Sequence, residues 1–177
     1  MTEKQEYFDF LMRKIRIAER TGVTDVSVDI PEKFKDGTTI KPHQRDAVAW
    51  AIEGGRRALF ESFGLGKTIQ QLLICNILAA HENGRALIIC PLSVKREFEN
   101  EAKRKLGIDI TYIKSQADAV SAKTSICITN YERVRDGDID VSQFVIVSLD
   151  EASVLRSYGA KTYQEFLPKF AGIRDRY

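Results

Sequence analysis

The chain has 177 residues, enough for one domain with a real core, and an ordinary make-up of 44% apolar and 29% charged residues. A net charge of +2 neither demands nor excludes a polyanionic partner, so any nucleic-acid footprint has to be local. Cys75, Cys90 and Cys127 are odd in number, widely spaced and set in apolar runs apart from His43 and His81, which argues against a disulfide framework or a metal-ligand spacing.

Residues 6–19 carry Tyr7, Phe8, Phe10, Leu11, Ile15 and Ala18 among charges, close to helical spacing, and Thr21-Gly22 ends that amphipathic helix. Residues 23–40 read as an extended connector with one turn at Lys35-Asp36-Gly37, so 1–40 is an N-terminal helix and connector ahead of a domain over 41–177. A helix is predicted from Pro42, suited to a first helical turn, through Ile52, stopped by Gly54-Gly55. Strands are predicted near 57–61, 86–90, 109–113, 125–129 and 143–149, with helices between most of them. The helix over 68–81 puts Ile69, Leu72, Leu73, Ile77 and Ala80 on one side and closes at Asn83-Gly84. The helix over 94–106 follows Ser93, a good N-cap, and sets Glu99 against Lys103 and Glu101 against Lys105 at i,i+4. Short apolar runs alternating with helices are the mark of a mostly parallel sheet covered on both faces, an α/β fold.

One stretch carries chemistry. Ala58 to Leu73 reads as a strand, a glycine-bearing loop and a helix, with Gly64, Leu65, Gly66, Lys67 and Thr68 at the join. Glycines let backbone N–H groups close around an anion, and a helix N-terminus adds unpaired donors and the positive end of a dipole. Lysine then reaches the β/γ-phosphates and threonine ligates magnesium. The bland alternative, a glycine-rich turn that happens to precede Lys-Thr, lacks the flanking strand and helix that make the motif credible. One departure is Glu61, where the full pattern has glycine.

A phosphate loop needs an acidic partner at the C-terminal end of another strand, where ligands gather in open α/β sheets. The run Phe144-Val-Ile-Val-Ser-Leu-Asp150-Glu151 supplies it. Asp150 would hold magnesium, and Glu151 would orient or deprotonate the attacking water. By itself such a pair also suits a helix N-terminus; the phosphate loop upstream decides for the functional reading.

Gly64-Leu-Gly-Lys-Thr68 and Asp150-Glu-Ala-Ser153 resemble motifs I and II of the superfamily-two helicases, nearest the Swi/Snf-type DNA translocases. Further segments follow the family's order. Ile40-Lys-Pro-His-Gln44 resembles its Q-motif, Ala86-Leu-Ile-Ile-Cys-Pro-Leu-Ser93 its motif Ia, and Ile128-Thr-Asn-Tyr-Glu132 its motif Ib. The likeness spans about residues 6–170 and looks closest to bacteriophage-encoded members. It implies a RecA-like P-loop NTPase domain that binds ATP and magnesium.

Carried over residue by residue, the resemblance implies that Gln44 reads the adenine edge and that Leu65 belongs to the loop around the phosphates. It implies Lys67 on phosphate, Thr68 and Asp150 on magnesium, and Glu151 on water. Ser93, Thr129 and Asn130, at strand-to-helix turns, are implied contacts to a nucleic-acid backbone, DNA in preference to RNA. Lys95 and Arg96 would add charge there. For each of these five, an N-cap or a solvated helix face remains the alternative.

Position 153 is Ser where the Swi/Snf pattern has His, which leaves the coupling of ATP state to the next motif open. Glu61 is the milder departure, since an acidic residue is usual there in Swi/Snf-type loops. The chain ends at Ile173-Arg-Asp-Arg-Tyr177, where the family would begin the strand leading to motif III. The expectation is therefore a motor domain whose second RecA-like domain, with its arginine finger, is not in this chain. Alone it would bind ATP weakly and hydrolyse it slowly. A truncated protein acting as a nucleotide-dependent module that binds DNA or a partner is the second reading, and a one-domain nucleoside kinase a distant third. With no apolar run of 18 residues and no apolar stretch behind the charged N-terminus, the chain is expected to be soluble, off the membrane and cytoplasmic, the bacterial host's cytoplasm if phage-encoded.

Overall fold

The computed structural model describes residues 21–24, 29–62 and 64–151, and near the end 164, 166, 168–170, 172, 173, 175 and 176. The helix expected over 6–19 and Ser153 lie outside the described residues.

Among the described residues, five parallel strands set the architecture. β1 (Ala86–Ile89), β2 (Thr111–Tyr112), β3 (Ile126–Thr129), β4 (Ile146–Leu149) and β5 (Asp175–Arg176) form one sheet in the order β2-β3-β1-β4-β5. Ala86 lies opposite Ile126 on one side and Ile146 on the other, so β1 is central. Parallel neighbours need crossovers, and crossovers place helices on the faces. Each central strand therefore feeds two cores. Ala86, Ile88, Ile126, Ile128 and Ile146 turn to one, while Leu87, Ile89, Cys127 and Val147 turn to the other. This is why the strands read as unbroken apolar runs rather than as alternation.

The first core is closed by α1 (Pro42–Gly54), α2 (Lys67–His81) and α3 (Lys95–Glu101), through Val48, Ile52, Leu72, Leu73 and Phe98. The second is closed by α4 (Gln116–Ser121) and α5 (Tyr131–Arg135), with Ala119, Tyr131, Val134, Phe166 and Phe170. α2 is buried around most of its circumference, not along one stripe: Ile74, Cys75, Leu78 and Ala79 are as buried as the predicted positions, and Ala80 is exposed. It packs at once on α1, α3, β1 and β4, so it has little outer face to give to water.

The connector is packed onto the domain. Ile30, Phe34 and Ile40 are buried in the first core, and the predicted turn is present, with Gly37 at φ 82° and Lys33 bridged to Thr39. Its tip is held by Asp36, whose carboxylate lies 2.9 Å from the Lys105 ammonium.

Three local predictions differ from the structure. Residues 57–62 are extended but form no strand, and Phe60 is 95% exposed. An apolar run becomes a strand only when another backbone lies alongside, and these residues stand outside the sheet. The helix over 94–106 is a 3₁₀ turn (Leu92–Val94), then α3, then a π turn (Ala102–Leu106), and Ser93 sits inside the first turn rather than capping a helix. The π turn changes the spacing of side chains, so the expected i,i+4 pairs are replaced. Lys103 pairs with Asp109, Lys105 with Asp36, and Glu101 with Arg104.

Candidate functional site

Because all strands run the same way, everything that follows a strand end lies along one edge of the sheet. The loop after β1 and the carboxylates after β4 meet at the central crevice, where Asp150 N–H donates to the Ile89 carbonyl at 2.8 Å. In open parallel sheets this is where ligands sit.

The predicted phosphate loop leads into α2 there. Gly64 has φ 81° with nothing within 4 Å of where a Cβ would stand, and Gly66 has φ 85° and caps the helix. Its backbone angle favours glycine at 66, and a Cβ there would lie 2.3 Å from Gln44 Nε2, so that amide would have to shift. Leu65, between them, is exposed, but its carbonyl is heavily used: it accepts from Gln44 Nε2 at 3.1 Å, Gln70 Nε2 at 3.2 Å and His43 Nε2 at 3.2 Å. A carbonyl only accepts, so His43 carries its hydrogen on Nε2. Lys67 donates from Nζ to the Glu61 carbonyl at 3.3 Å, bending back across the mouth of the loop.

Gln44 is thus brought to the loop, and its amide is engaged within the chain at both ends. Besides the bond to Leu65, its Oε1 accepts from Lys41 N–H at 3.2 Å, closing the first turn of α1. An amide reading adenine from here has only its remaining hydrogen and lone pair to offer.

Two glutamines that motif reading missed brace the site, one within the loop and one across to the strand end. Gln70 and Gln71 are buried in α2, and a buried amide is costly unless bonded. Gln70 gives a hydrogen to Glu61 Oε2 at 2.8 Å as well as to Leu65, pinning the head of the loop. Gln71 donates to Asp150 Oδ1 at 2.9 Å and accepts from the Ser148 hydroxyl at 3.1 Å. The available signal was two consecutive polar residues in an otherwise apolar helix. Tyr131, buried at the start of α5, donates its hydroxyl to the Asp150 carbonyl.

Burial pushes the Asp150 carboxyl above the usual carboxylate range. Glu151 and Glu97 add to the push, and Gln71 and Lys67 oppose it. Glu151 follows with φ 57°, a left-handed backbone uncommon for a non-glycine residue. Thr68, on the first turn of α2, donates its hydroxyl to Glu97 Oε1 at 3.1 Å. Among the described residues no group of three His, Cys, Asp or Glu could hold a metal ion. The oxygen set of Thr68 and Asp150 still fits magnesium, a hard cation that is usually held by one or two carboxylates, substrate phosphates and water.

The expected nucleic-acid residues divide. Ser93 and Arg96 are exposed after β1. Lys95 lies 4.6 Å from the Tyr112 ring centroid and 3.4 Å from Glu99, Tyr112 donates to Asn130 Oδ1 at 3.4 Å, and Asn130 donates to Glu132 at 2.6 Å. Lys95, Tyr112 and Asn130 therefore form one connected surface at the ends of β1, β2 and β3. Thr129 does not belong to it. Its side chain is fully buried and its hydroxyl donates to the Ile113 carbonyl at 2.9 Å, because the pleat turns this last strand residue inward.

A family model described as the SNF2-related domain matches residues 43–173. The chromatin-remodeling ATPase INO80 of Pyricularia oryzae is 32% identical over 90 residues, which cover 48% of this chain and 4% of that protein. The Zorya protein ZorD of Escherichia coli is 25% identical over 172 residues, 75% of this chain and 16% of that protein. The chain thus spans less than a fifth of the length of these curated relatives. Among solved structures, the UvsW helicase of bacteriophage T4 superposes with a TM-score of 0.71 at 18% identity, over 98% of this chain and 67% of that one. The SWI2/SNF2 ATPase core of Sulfolobus solfataricus in complex with dsDNA gives 0.64 at 23% identity, over 77% of this chain and 30% of that one. At such identities the likeness is one of fold, the expected RecA-like α/β domain. The family match runs from His43 in α1 past both sides of the central crevice to Ile173, and the chain accordingly belongs to the SNF2-related domain family.

Proposed function

We propose that this chain is the ATP-binding motor domain of a DNA translocase or helicase. ATP and magnesium occupy the crevice between loop 64–68 and Asp150, and nucleic acid runs along the strand ends that carry Ser93, Lys95, Arg96 and Asn130. The observation that carries this reading is the Gln71–Asp150 bond, which ties the magnesium carboxylate to the same helix whose first turn bears Lys67 and Thr68.

In this reading the backbone N–H groups at 64–68 cradle the phosphates. Lys67 leaves the Glu61 carbonyl to meet the β/γ-phosphates. Thr68 and Asp150 hold magnesium, which when bound offsets charge on the phosphate oxygens. Glu151 aligns the attacking water, and Gln44 borders the adenine while bracing Leu65. Hydrolysis becomes fast and coupled to movement when a second RecA-like domain closes on the crevice and contributes an arginine, typically ~10³–10⁵ in rate for related phosphoryl-transfer sites.

Titration of the 177-residue chain with ATP, with and without magnesium, tests the reading. Magnesium-dependent binding that Lys67→Ala abolishes is expected. Equal affinity in the wild type and the variant would sink it.

A further inference from the structure

The Thr68 hydroxyl has one hydrogen and two lone pairs, and a metal ligand can use only a lone pair. Something else has to take the hydrogen. Asp150 Oδ1 already accepts from Gln71. The hydrogen goes instead to Glu97 Oε1, 3.1 Å away, on a different element and 29 residues along the chain. Glu97 is exposed on α3, with the buried Phe98 beside it anchoring that turn to the first core. Packing therefore sets where the Glu97 backbone stands relative to α2, and the bond to Thr68 orients its carboxylate.

Resting on the ATP-site reading above, we propose that Glu97 is a positioning residue of the magnesium site, fixing the Thr68 hydroxyl so that its lone pairs face the metal. A partner outside the immediate ligands that receives a ligand's hydrogen sets that ligand's orientation and raises its basicity. Glu97 also brings a charge to this site, its carboxylate lying 3.1 Å from the Thr68 hydroxyl. That negative charge lies close to where a divalent cation would be held and favours one there.

The test is the magnesium requirement of ATP binding, read by calorimetry on the whole chain. Glu97→Ala is expected to raise the magnesium concentration for half-maximal binding about ten-fold, the lower end of what loss of such a partner costs. Binding of ATP without magnesium should stay within about two-fold, because the phosphate cradle is untouched. Glu97→Gln, which can still accept the hydrogen, should fall between wild type and Glu97→Ala. An unchanged or lowered magnesium requirement in Glu97→Ala overturns the proposal, as does a Glu97→Gln variant no better than alanine. If the wild type binds ATP and Lys67→Ala abolishes it, such a result removes the role of Glu97 alone. If the wild type fails to bind ATP, the site reading and this role fall together.

Discussion

Gln71 Nε2 donates to Asp150 Oδ1 at 2.9 Å across 79 positions of sequence, while its own Oε1 accepts from Ser148 at 3.1 Å. One buried amide thereby sets the distance between the helix that follows the phosphate loop and the strand that carries the carboxylate.

Gln71→Leu keeps the size and apolar body of the side chain but strips both bonds. It leaves the Asp150 carboxylate and Ser148 short of a partner in the interior, a loss of about 1–3 kcal/mol. Urea unfolding should show that loss in the midpoint without a change in slope, and the magnesium requirement of ATP binding should rise because Asp150 is no longer held in one rotamer.

The two loop glycines should respond differently to alanine. Gly64 and Gly66 both have positive φ, so each variant carries a backbone penalty of about 1–2 kcal/mol. Only at 66 does the new Cβ meet Gln44 Nε2, at 2.3 Å, and Gln44 has to leave Leu65 to make room. Thermal melts should place Gly66→Ala clearly below Gly64→Ala; equal melting temperatures would show that Gln44 moves aside freely.

Thr129→Val and Arg96→Ala separate packing from nucleic-acid binding. Valine removes the buried donor to the Ile113 carbonyl, so stability should fall by about 1 kcal/mol while DNA affinity at fixed salt stays the same. Arg96→Ala, at an exposed position, should leave stability unchanged, weaken DNA binding evenly across sequences and reduce the salt slope by about one. The comparison is made by titrating a fluorescent duplex over a salt series. DNA binding lost in Thr129→Val but kept in Arg96→Ala would contradict the assignment.

The turn at Asp36 should give acid sensitivity in a defined window. Hydrogen bonds from Thr38 and Lys105 lower its carboxyl from 3.8 to about 2. Since the folded value is the lower, the unfolded chain binds the proton more tightly. The stabilisation is fully present above pH 3.8 and is lost as pH falls through about 2. Asp36→Asn should therefore be less stable than wild type at pH 7, with the gap closing toward pH 2 in acid-unfolding curves.

The three cysteines should be inert until the protein opens. All are buried, and burial pushes the thiols of Cys75 and Cys90 up to about 12 and raises Cys127 as well. A thiol reagent at pH 8 should react slowly with native protein and rapidly with all three in denaturant. Fast reaction of any one in the native state would place that thiol at the surface.

The loop at 64–68, the helix behind it and the carboxylate after β4 were legible because each is contiguous in sequence, so spacing along the chain is spacing in the molecule. The unbroken apolar runs at 86–89, 126–129 and 146–149 likewise announced strands covered on both faces. Residues 57–61, with Ala58-Leu-Phe60 between Arg57 and Glu61, form no strand, since composition does not say which backbone will lie alongside. Thr129 and Asn130 are neighbours, yet one faces the core and the other the crevice edge. A hydroxyl at a strand end suits either side equally well.

Residue types and local spacing, then, determined a glycine-bearing loop entering a helix, an acidic strand end and a doubly covered parallel sheet, because those follow from backbone periodicity and from the turns that glycine permits. Packing alone decided which groups meet across the crevice: Gln71 with Asp150, Thr68 with Glu97, and Gln44 with Leu65. Such pairs join positions 21 to 79 residues apart, and hydrogen bonding is too short-ranged to be read until the strands and helices have fixed where each side chain stands.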